Sequence, residues 1–185
     1  MSKIVGIGGS LGSLEELKII LKALPESCDT PLIYVFHQRT SNSNIIIDLN
    51  KTSHYVVKFV KNGASPQKNT LYISLPDFHL LFSVNGKFIL SKKEAIDYTR
   101  PSINLFFKTA SHVFKENLLL VVLSGSNKDG AVEAKNSLRN GTSVAVISPQ
   151  NSISPRMPLS VLKLEESFKS YSLEKLVSVI SEMRG

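Results

Sequence analysis

The sequence predicts an α/β fold, in which a doubly wound, mostly parallel sheet has helices on both faces and an antiparallel hairpin at one edge. Short all-apolar runs, typical of strands buried on both faces, alternate with segments of helical apolar spacing. The dipeptide Asn85-Gly86 lies between two short apolar segments and is a strong hairpin signal. With neither a repeat nor a linker, the chain is predicted to form one domain over residues 1–185.

The strands and helices follow in order from the apolar spacing. Ser13 and Glu16 match the capping box that opens a helix, and apolar residues then recur near helical period until Pro25. Further helices are predicted from Ser102, from residue 131 to Gly141, and from residue 172, and residues 148–158 are predicted to form a loop. Strands are predicted at 4–7, 32–36, 56–60, 71–74, 80–84, 87–90, 118–123 and 144–147.

Composition narrows the classes of function. No apolar run approaches the roughly 18–20 residues of a membrane span, and no signal peptide is visible, so we expect a cytoplasmic protein without membrane insertion. Cys28 is the only cysteine, which excludes an internal disulfide. The net charge of +7 suits a solvated basic surface or an acidic protein partner. Lysine and arginine are scattered and tryptophan is absent, so no nucleic-acid partner is expected.

Three reactive side chains follow predicted strands. Ser10 comes after the first strand, His37 after the second, and Asp129 after the run at 118–123. Because parallel strands end at one edge of a sheet, and ligand sites form beyond that edge, these residues are expected to converge.

Their chemistry fits acyl transfer. Ser10 lies in a Gly-x-Ser-x-Gly turn, which exposes a hydroxyl that needs a base to become a nucleophile. His37 is the candidate base, and Asp129 would orient it and stabilise its charge. The backbone N–H groups of Leu11 and Ser126 are the candidate oxyanion donors. No cofactor and no metal is expected.

Each residue also has a simpler interpretation. The glycine-rich turn could cradle a phosphate, His37 could be a structural hydrogen-bonding group, and Asp129 could cap the next helix. Competing motifs fail: Leu11 occupies the third glycine position of the dinucleotide fingerprint, and neither a phosphate loop nor zinc-ligand spacing is present. The Ser-acid-His order of ordinary α/β-hydrolases would require His112, which lies inside a predicted helix.

In combination and order, several segments resemble the chemotaxis protein-glutamate methylesterases (CheB type). The similar segments are Ile7-Gly8-Gly9-Ser10-Leu11-Gly12, Val35-Phe36-His37, Leu71-Tyr72-Ile73-Ser74 with His79, Arg100-Pro101-Ser102-Ile103-Asn104-Leu105-Phe106, Leu123-Ser124-Gly125-Ser126-Asn127-Lys128-Asp129-Gly130-Ala131 and Met157-Pro158. The resemblance implies the catalytic domain of this family, with Ser10, His37 and Asp129 as the triad. It implies removal of methyl esters from glutamates of methyl-accepting chemotaxis receptors and, as in many members, deamidation of receptor glutamines.

The chain departs from the family pattern at several positions. Leu11 replaces the usual threonine, Ser126-Asn127-Lys128 replaces Met-Gly-x, and Gln38-Arg39 replaces the usual residues after the histidine. We expect no receiver domain, and therefore either a constitutively open cleft or control by a separate regulatory protein. The alternative function is a catalytically weak or inactive module that binds receptor or another acidic protein.

Overall fold

A computed structural model describes residues 2–37 and 43–183 of the chain. The described part contains a seven-stranded sheet and a separate two-stranded sheet. The strands of the large sheet are β1 (Ile4–Gly9), β2 (Leu32–Phe36), β3 (Val56–Phe59), β4 (Thr70–Ile73), β7 (Leu118–Val122), β8 (Ser143–Ile147) and β9 (Ser170–Tyr171); the small sheet pairs β5 (His79–Phe82) with β6 (Phe88–Ser91). The large sheet has the order β3-β4-β2-β1-β7-β8-β9, with every pairing parallel.

Helices cover both faces of the large sheet, which confirms the doubly wound α/β prediction. The helices are α1 (Ser13–Ala23), α2 (Ser43–Thr52), α3 (Ile103–Phe114), α4 (Ala131–Ser137), α5 (Arg156–Leu162) and α6 (Leu173–Ser181). Buried residues of α1, α2 and α6 form one apolar core, and those of α3, α4, α5 and the small sheet form the other. None of the helices in the described residues is long and apolar enough to cross a membrane.

Close packing of α3 on β1 depends on Gly8. A Cβ atom at Gly8 would lie 2.6 Å from Cγ2 of Ile103, in the first turn of α3. Glycine therefore allows α3 to begin against the carboxyl end of β1. This brings the N–H groups of the first helical turn, which have no acceptor within the helix, to the edge where β1 and β2 end.

The topology places a ligand crevice at the end of β1. From β1 the chain moves outward to β2 and its neighbours on one side, and later returns to β7 and its neighbours on the other. The order of the strands therefore reverses beside β1, which is the position where open α/β sheets bind ligands.

Several details differ from the prediction. The hairpin forms as predicted, with Gly86 at φ +73°, but it packs under α3 rather than extending the parallel sheet. Besides pairing β5 with β6, it hydrogen-bonds through the Phe88 backbone to Gly63 and Ala64. Neither α2 nor β9 was predicted from the apolar spacing. Residues 148–158 were predicted to form a loop, whereas α5 begins at Arg156. The helix can include Pro158 because this residue lies in the first turn, where proline is tolerated.

The predicted capping box at the start of α1 is wrong. The N-cap is Gly12 at φ +90°, without a side-chain hydrogen bond. The Ser13 hydroxyl instead donates to the Ser10 carbonyl at 2.7 Å and lies 2.6 Å from the Tyr34 hydroxyl. Glu16 is buried and hydrogen-bonds outside the helix, because the face that carries Ser13 and Glu16 packs inward.

Candidate active site

Ser10 lies in the turn between β1 and α1. Its N–H donates to the Ser124 carbonyl at 2.8 Å, and its own carbonyl accepts the Ser13 N–H at 3.1 Å. These contacts fix the backbone of the turn against the end of β7. The side chain is half-buried and faces a cavity, as expected for a hydroxyl presented at a sharp strand-to-helix turn.

His37 follows β2 and reaches the Asp129 carboxylate. The distance from His37 Nε2 to Asp129 Oδ2 is 2.9 Å, and 15% of the His37 side chain is exposed. A mostly buried imidazole held by a carboxylate has a fixed ring orientation, which a base in acyl transfer needs.

Asp129 precedes α4 in the chain, and its carboxylate contacts the N-terminus of α3. Its carboxylate accepts the Ile103 N–H at 2.7 Å and the Asn104 N–H at 2.9 Å, and the Ser102 hydroxyl donates at 3.2 Å. Burial by itself raises the pKa of Asp129, but hydrogen bonds from His37 and these N–H groups outweigh it, so the pKa lies below its ordinary value. The alternative interpretation of Asp129 as the cap of the next helix is wrong, because the N-cap of α4 is Gly130 and no side-chain hydrogen bond caps this helix.

Asn127 contacts the imidazole of His37, and this contact was not predicted from the sequence. Its Nδ2 donates to Nδ1 of His37 at 3.0 Å, while its Oδ1 accepts the Asp129 N–H at 3.0 Å. The backbone donor fixes the orientation of the amide, so Nδ1 of His37 is an acceptor and Nε2 carries the proton. The only sequence signal was the replacement of glycine by a side chain that hydrogen-bonds locally.

The proposed serine and histidine share one cavity of about 510 Å³. The residues that line it are Ser10, His37, Asp77, Ala95, Tyr98, Thr99, Arg100 and Asn127. Within the described residues the Ser10 hydroxyl makes no hydrogen bond to His37. The fold therefore brings the two side chains to one cavity while Asn127 holds the histidine nitrogen that faces away from Asp129.

The candidate oxyanion donors are sequence neighbours of Ser10 and Asn127, which line this cavity. Leu11 and Ser126 are exposed, and the Leu11 N–H has no acceptor among the described residues. Leu11 immediately precedes Gly12, the N-cap of the 11-residue helix α1, where helix N–H groups favour negative charge. Both donor roles remain predictions. The replacements at Gln38 and Arg39 lie outside the described residues.

Two other histidines, His79 and His112, serve the scaffold. His79 is buried; its Nε2 donates to the Glu94 carbonyl at 2.9 Å, and its Nδ1 accepts the Ser102 N–H at 3.1 Å. His112 is exposed on α3 and bonds the Lys108 carbonyl of the same helix. Over residues 2–37 and 43–183, no three histidine, cysteine, aspartate or glutamate side chains converge on a position for a metal ion.

Glu16 supports the loop that holds Ser10, whereas the sequence predicted a capping role for it. This side chain is 1% exposed, and its carboxylate accepts the Ser124 N–H at 2.9 Å and the Ile153 N–H at 3.2 Å. The Ser124 hydroxyl also bonds it. Glu16 therefore links α1 to the loop after β7 and to the segment before α5. The Ser124 carbonyl in that loop accepts the Ser10 N–H, so Glu16 supports the position of Ser10 indirectly. A glutamate on the same helix face as Leu17 and Ile20 was the available signal.

Glu16→Ala is expected to lower the free energy of unfolding by about 3 kcal/mol, because it leaves buried N–H groups without an acceptor. Urea unfolding at neutral pH measures the change. Glu15→Ala is the matched control. Glu15 is 62% exposed and, among the described residues, pairs with Lys18 alone, so its loss is expected to change stability by less than about 1 kcal/mol. Equal effects of the two substitutions would contradict a structural role for Glu16.

These observations define a class: a doubly wound α/β protein with serine, histidine and aspartate at the carboxyl edge of its sheet. Comparison with known proteins identifies the family. The family model described as CheB methylesterase matches residues 5–180. The chain belongs to the CheB methylesterase family.

Relatives and a solved structure agree with this membership. A Leptospira interrogans protein, named as a putative protein-glutamate methylesterase/protein-glutamine glutaminase, is 30% identical over 174 residues, covering 94% of this chain and 90% of its own length. A Thermotoga maritima protein-glutamate methylesterase/protein-glutamine glutaminase is 31% identical over 188 residues, and the match spans 54% of that protein. The crystal structure of the Thermotoga maritima CheB methylesterase catalytic domain superposes with a TM-score of 0.92 at 27% identity, covering 99% of each chain.

Proposed function

We propose that this chain is a single catalytic domain that hydrolyses methyl esters on glutamate side chains of chemotaxis receptors and deamidates receptor glutamines. Ser10 is the nucleophile, His37 the base and Asp129 the residue that orients it. The observation that carries the proposal is the 2.9 Å contact between His37 and Asp129, beside a cavity that Ser10 also lines. Family membership and relatives named for this activity support it.

The reaction would begin with attack of Ser10 Oγ on the ester carbonyl. His37 Nδ1 takes the hydroxyl proton, and the Asp129 carboxylate stabilises the imidazolium that forms. The N–H groups of Leu11 and Ser126 bind the oxyanion. His37 then protonates the leaving methoxide, methanol departs, and water activated by His37 hydrolyses the acyl-enzyme. With a glutamine substrate, the leaving group is ammonia.

The receptor is proposed to reach the site through charge as well as shape. The chain carries a net charge of +7, and a surface rich in glutamate would approach it more rapidly because of this charge. Besides water, the proposed reaction uses only side-chain and backbone groups of the chain itself. We place it in the cytoplasm, where the methylated segments of receptors lie.

One observation favours a second candidate function. Asn127 occupies Nδ1 of His37, and Ser10 makes no hydrogen bond to His37 within the described residues. A histidine that is not free to accept a proton suits a module that binds the receptor or another acidic protein and hydrolyses methyl esters slowly or not at all.

Turnover separates the two candidates. Incubation of the protein with a methylated receptor cytoplasmic fragment is expected to release methanol, at a rate that falls as salt rises through about 0.15 M, where the Debye length is about 8 Å. The same fragment without methyl esters is the control and should give no methanol. Binding to the fragment without release of methanol or ammonia would contradict the enzyme and support the binding module.

A further inference from the structure

Both ring nitrogens of His37 are engaged by protein groups. Nε2 donates to Asp129 at 2.9 Å, and Nδ1 accepts from the side-chain amide of Asn127 at 3.0 Å. The orientation of that amide is fixed, because its oxygen accepts the Asp129 N–H at 3.0 Å. An unprotonated imidazole nitrogen has one lone pair, so no free acceptor remains on the ring.

We propose that Asn127 competes with Ser10 for Nδ1 of His37 and thereby slows the chemical step. The inference rests on the proposed function, in which Nδ1 takes the Ser10 proton. The Ser10 hydroxyl cannot donate to Nδ1 until the Asn127 amide leaves it. A ring flip offers no second base, because it would put Cδ2 and Cε1 where Nδ1 and Nε2 now lie and would break the hydrogen bonds to both Asn127 and Asp129.

The same contact opposes the transition state. The imidazolium carries a proton on Nδ1, so the amide N–H that points at that atom must move away before the Ser10 proton can arrive. Asn127 is itself held at both ends of its amide and is half-buried, so this opposition is built into the resting site. Asn127 is therefore a positioning residue that acts through His37 and does not contact the reacting carbonyl.

Asn127→Ser tests the proposal with the turn preserved. A serine oxygen can still accept the Asp129 N–H two residues on, but its side chain is too short to reach His37. Loss of one hydrogen bond predicts a rate about 3- to 10-fold higher. The readout is the rate at which a fluorophosphonate labels Ser10, because this reagent reports serine activation without a receptor. Asn127→Gly is the second variant, and Lys128→Ala, an exposed neighbour, is the control expected to react as wild type.

A spectroscopic measurement accompanies the rates. The ¹⁵N resonance of His37 Nδ1 is expected to move toward that of a free, unprotonated imidazole nitrogen in both Asn127 variants and to stay unchanged in Lys128→Ala. A change that merely loosened the loop would not free this one nitrogen while raising the labelling rate.

Faster labelling with the shifted resonance supports the competition. Labelling at the wild-type rate overturns it and leaves the proposed triad intact. Labelling slowed by about 100-fold or more overturns it by assigning the amide to the oxyanion. No labelling of any variant or of wild type, with methanol absent as well, overturns the proposed function and the competition together.

Discussion

Ser10→Ala is expected to reduce methanol release from methylated receptor by about 10⁶-fold, the scale observed when the nucleophile of a serine-hydrolase triad is removed. Without Oγ no acyl-enzyme forms, and only the positioned oxyanion donors remain to assist water. The methanol assay, run with enough enzyme to detect single turnovers, measures the loss.

The substitution should leave the fold intact. The described contacts of Ser10 with Ser13 and Ser124 use backbone atoms or the Ser13 hydroxyl, so alanine retains them. The free energy of unfolding should therefore stay within about 0.5 kcal/mol of wild type. Ser167→Ala, an exposed serine between α5 and β9, is the control and should keep full activity.

Non-additivity distinguishes a triad from independent contributors. If Ser10 and His37 act as one unit, the double variant with His37→Ala should be no slower than Ser10→Ala alone. A further large loss in the double variant, or activity retained by Ser10→Ala, would be incompatible with the proposed mechanism.

Much of the fold and the positions of the site residues could be predicted because strong, local patterns specify them. Buried parallel strands produce apolar runs, and the residue that follows such a run must lie at the edge of the sheet. The placement of Ser10, His37 and Asp129 at one edge follows from this rule. The helix α3 could be predicted as readily, because Ser102 caps it and its apolar residues keep helical spacing.

Contacts across the fold could not be predicted in the same way. Glu16 three residues after Ser13 has the spacing of a capping box, and only the packing of α1 shows that both side chains point inward. The helix α2 contains three consecutive isoleucines, 45–47, whose branched side chains favour strands and weaken the helical signal. The partner of Asn127 depends on two loops separated by about half the chain, which no local pattern encodes.

Asp129→Ala is expected to reduce both activity and stability. Activity should fall by about 10⁴-fold, because His37 loses the acceptor that holds its Nε2 proton and the charge that stabilises the imidazolium. The free energy of unfolding should fall by about 3 kcal/mol, because the N–H groups of Ile103 and Asn104 lose their acceptor at a position that is 5% exposed. Methanol release and urea unfolding measure the two effects on the same preparation.

The pH dependence of that stability has a definite sign. Because the folded protein lowers the pKa of Asp129, its ionised carboxylate stabilises the fold fully above the unfolded value of about 4. The contribution is lost as pH falls through the lower folded value, so the stability gap between wild type and Asp129→Ala should narrow in acid.

Asp129→Asn separates the two roles of this carboxylate. The amide oxygen can still accept one of the α3 N–H groups, so this variant should unfold at a higher urea concentration than Asp129→Ala. Its activity should fall nearly as far, because a neutral amide can donate to His37 and thereby reverse the tautomer that leaves Nδ1 free of a proton. An Asn variant as active as wild type would show that the contact between Asp129 and His37 serves the scaffold alone.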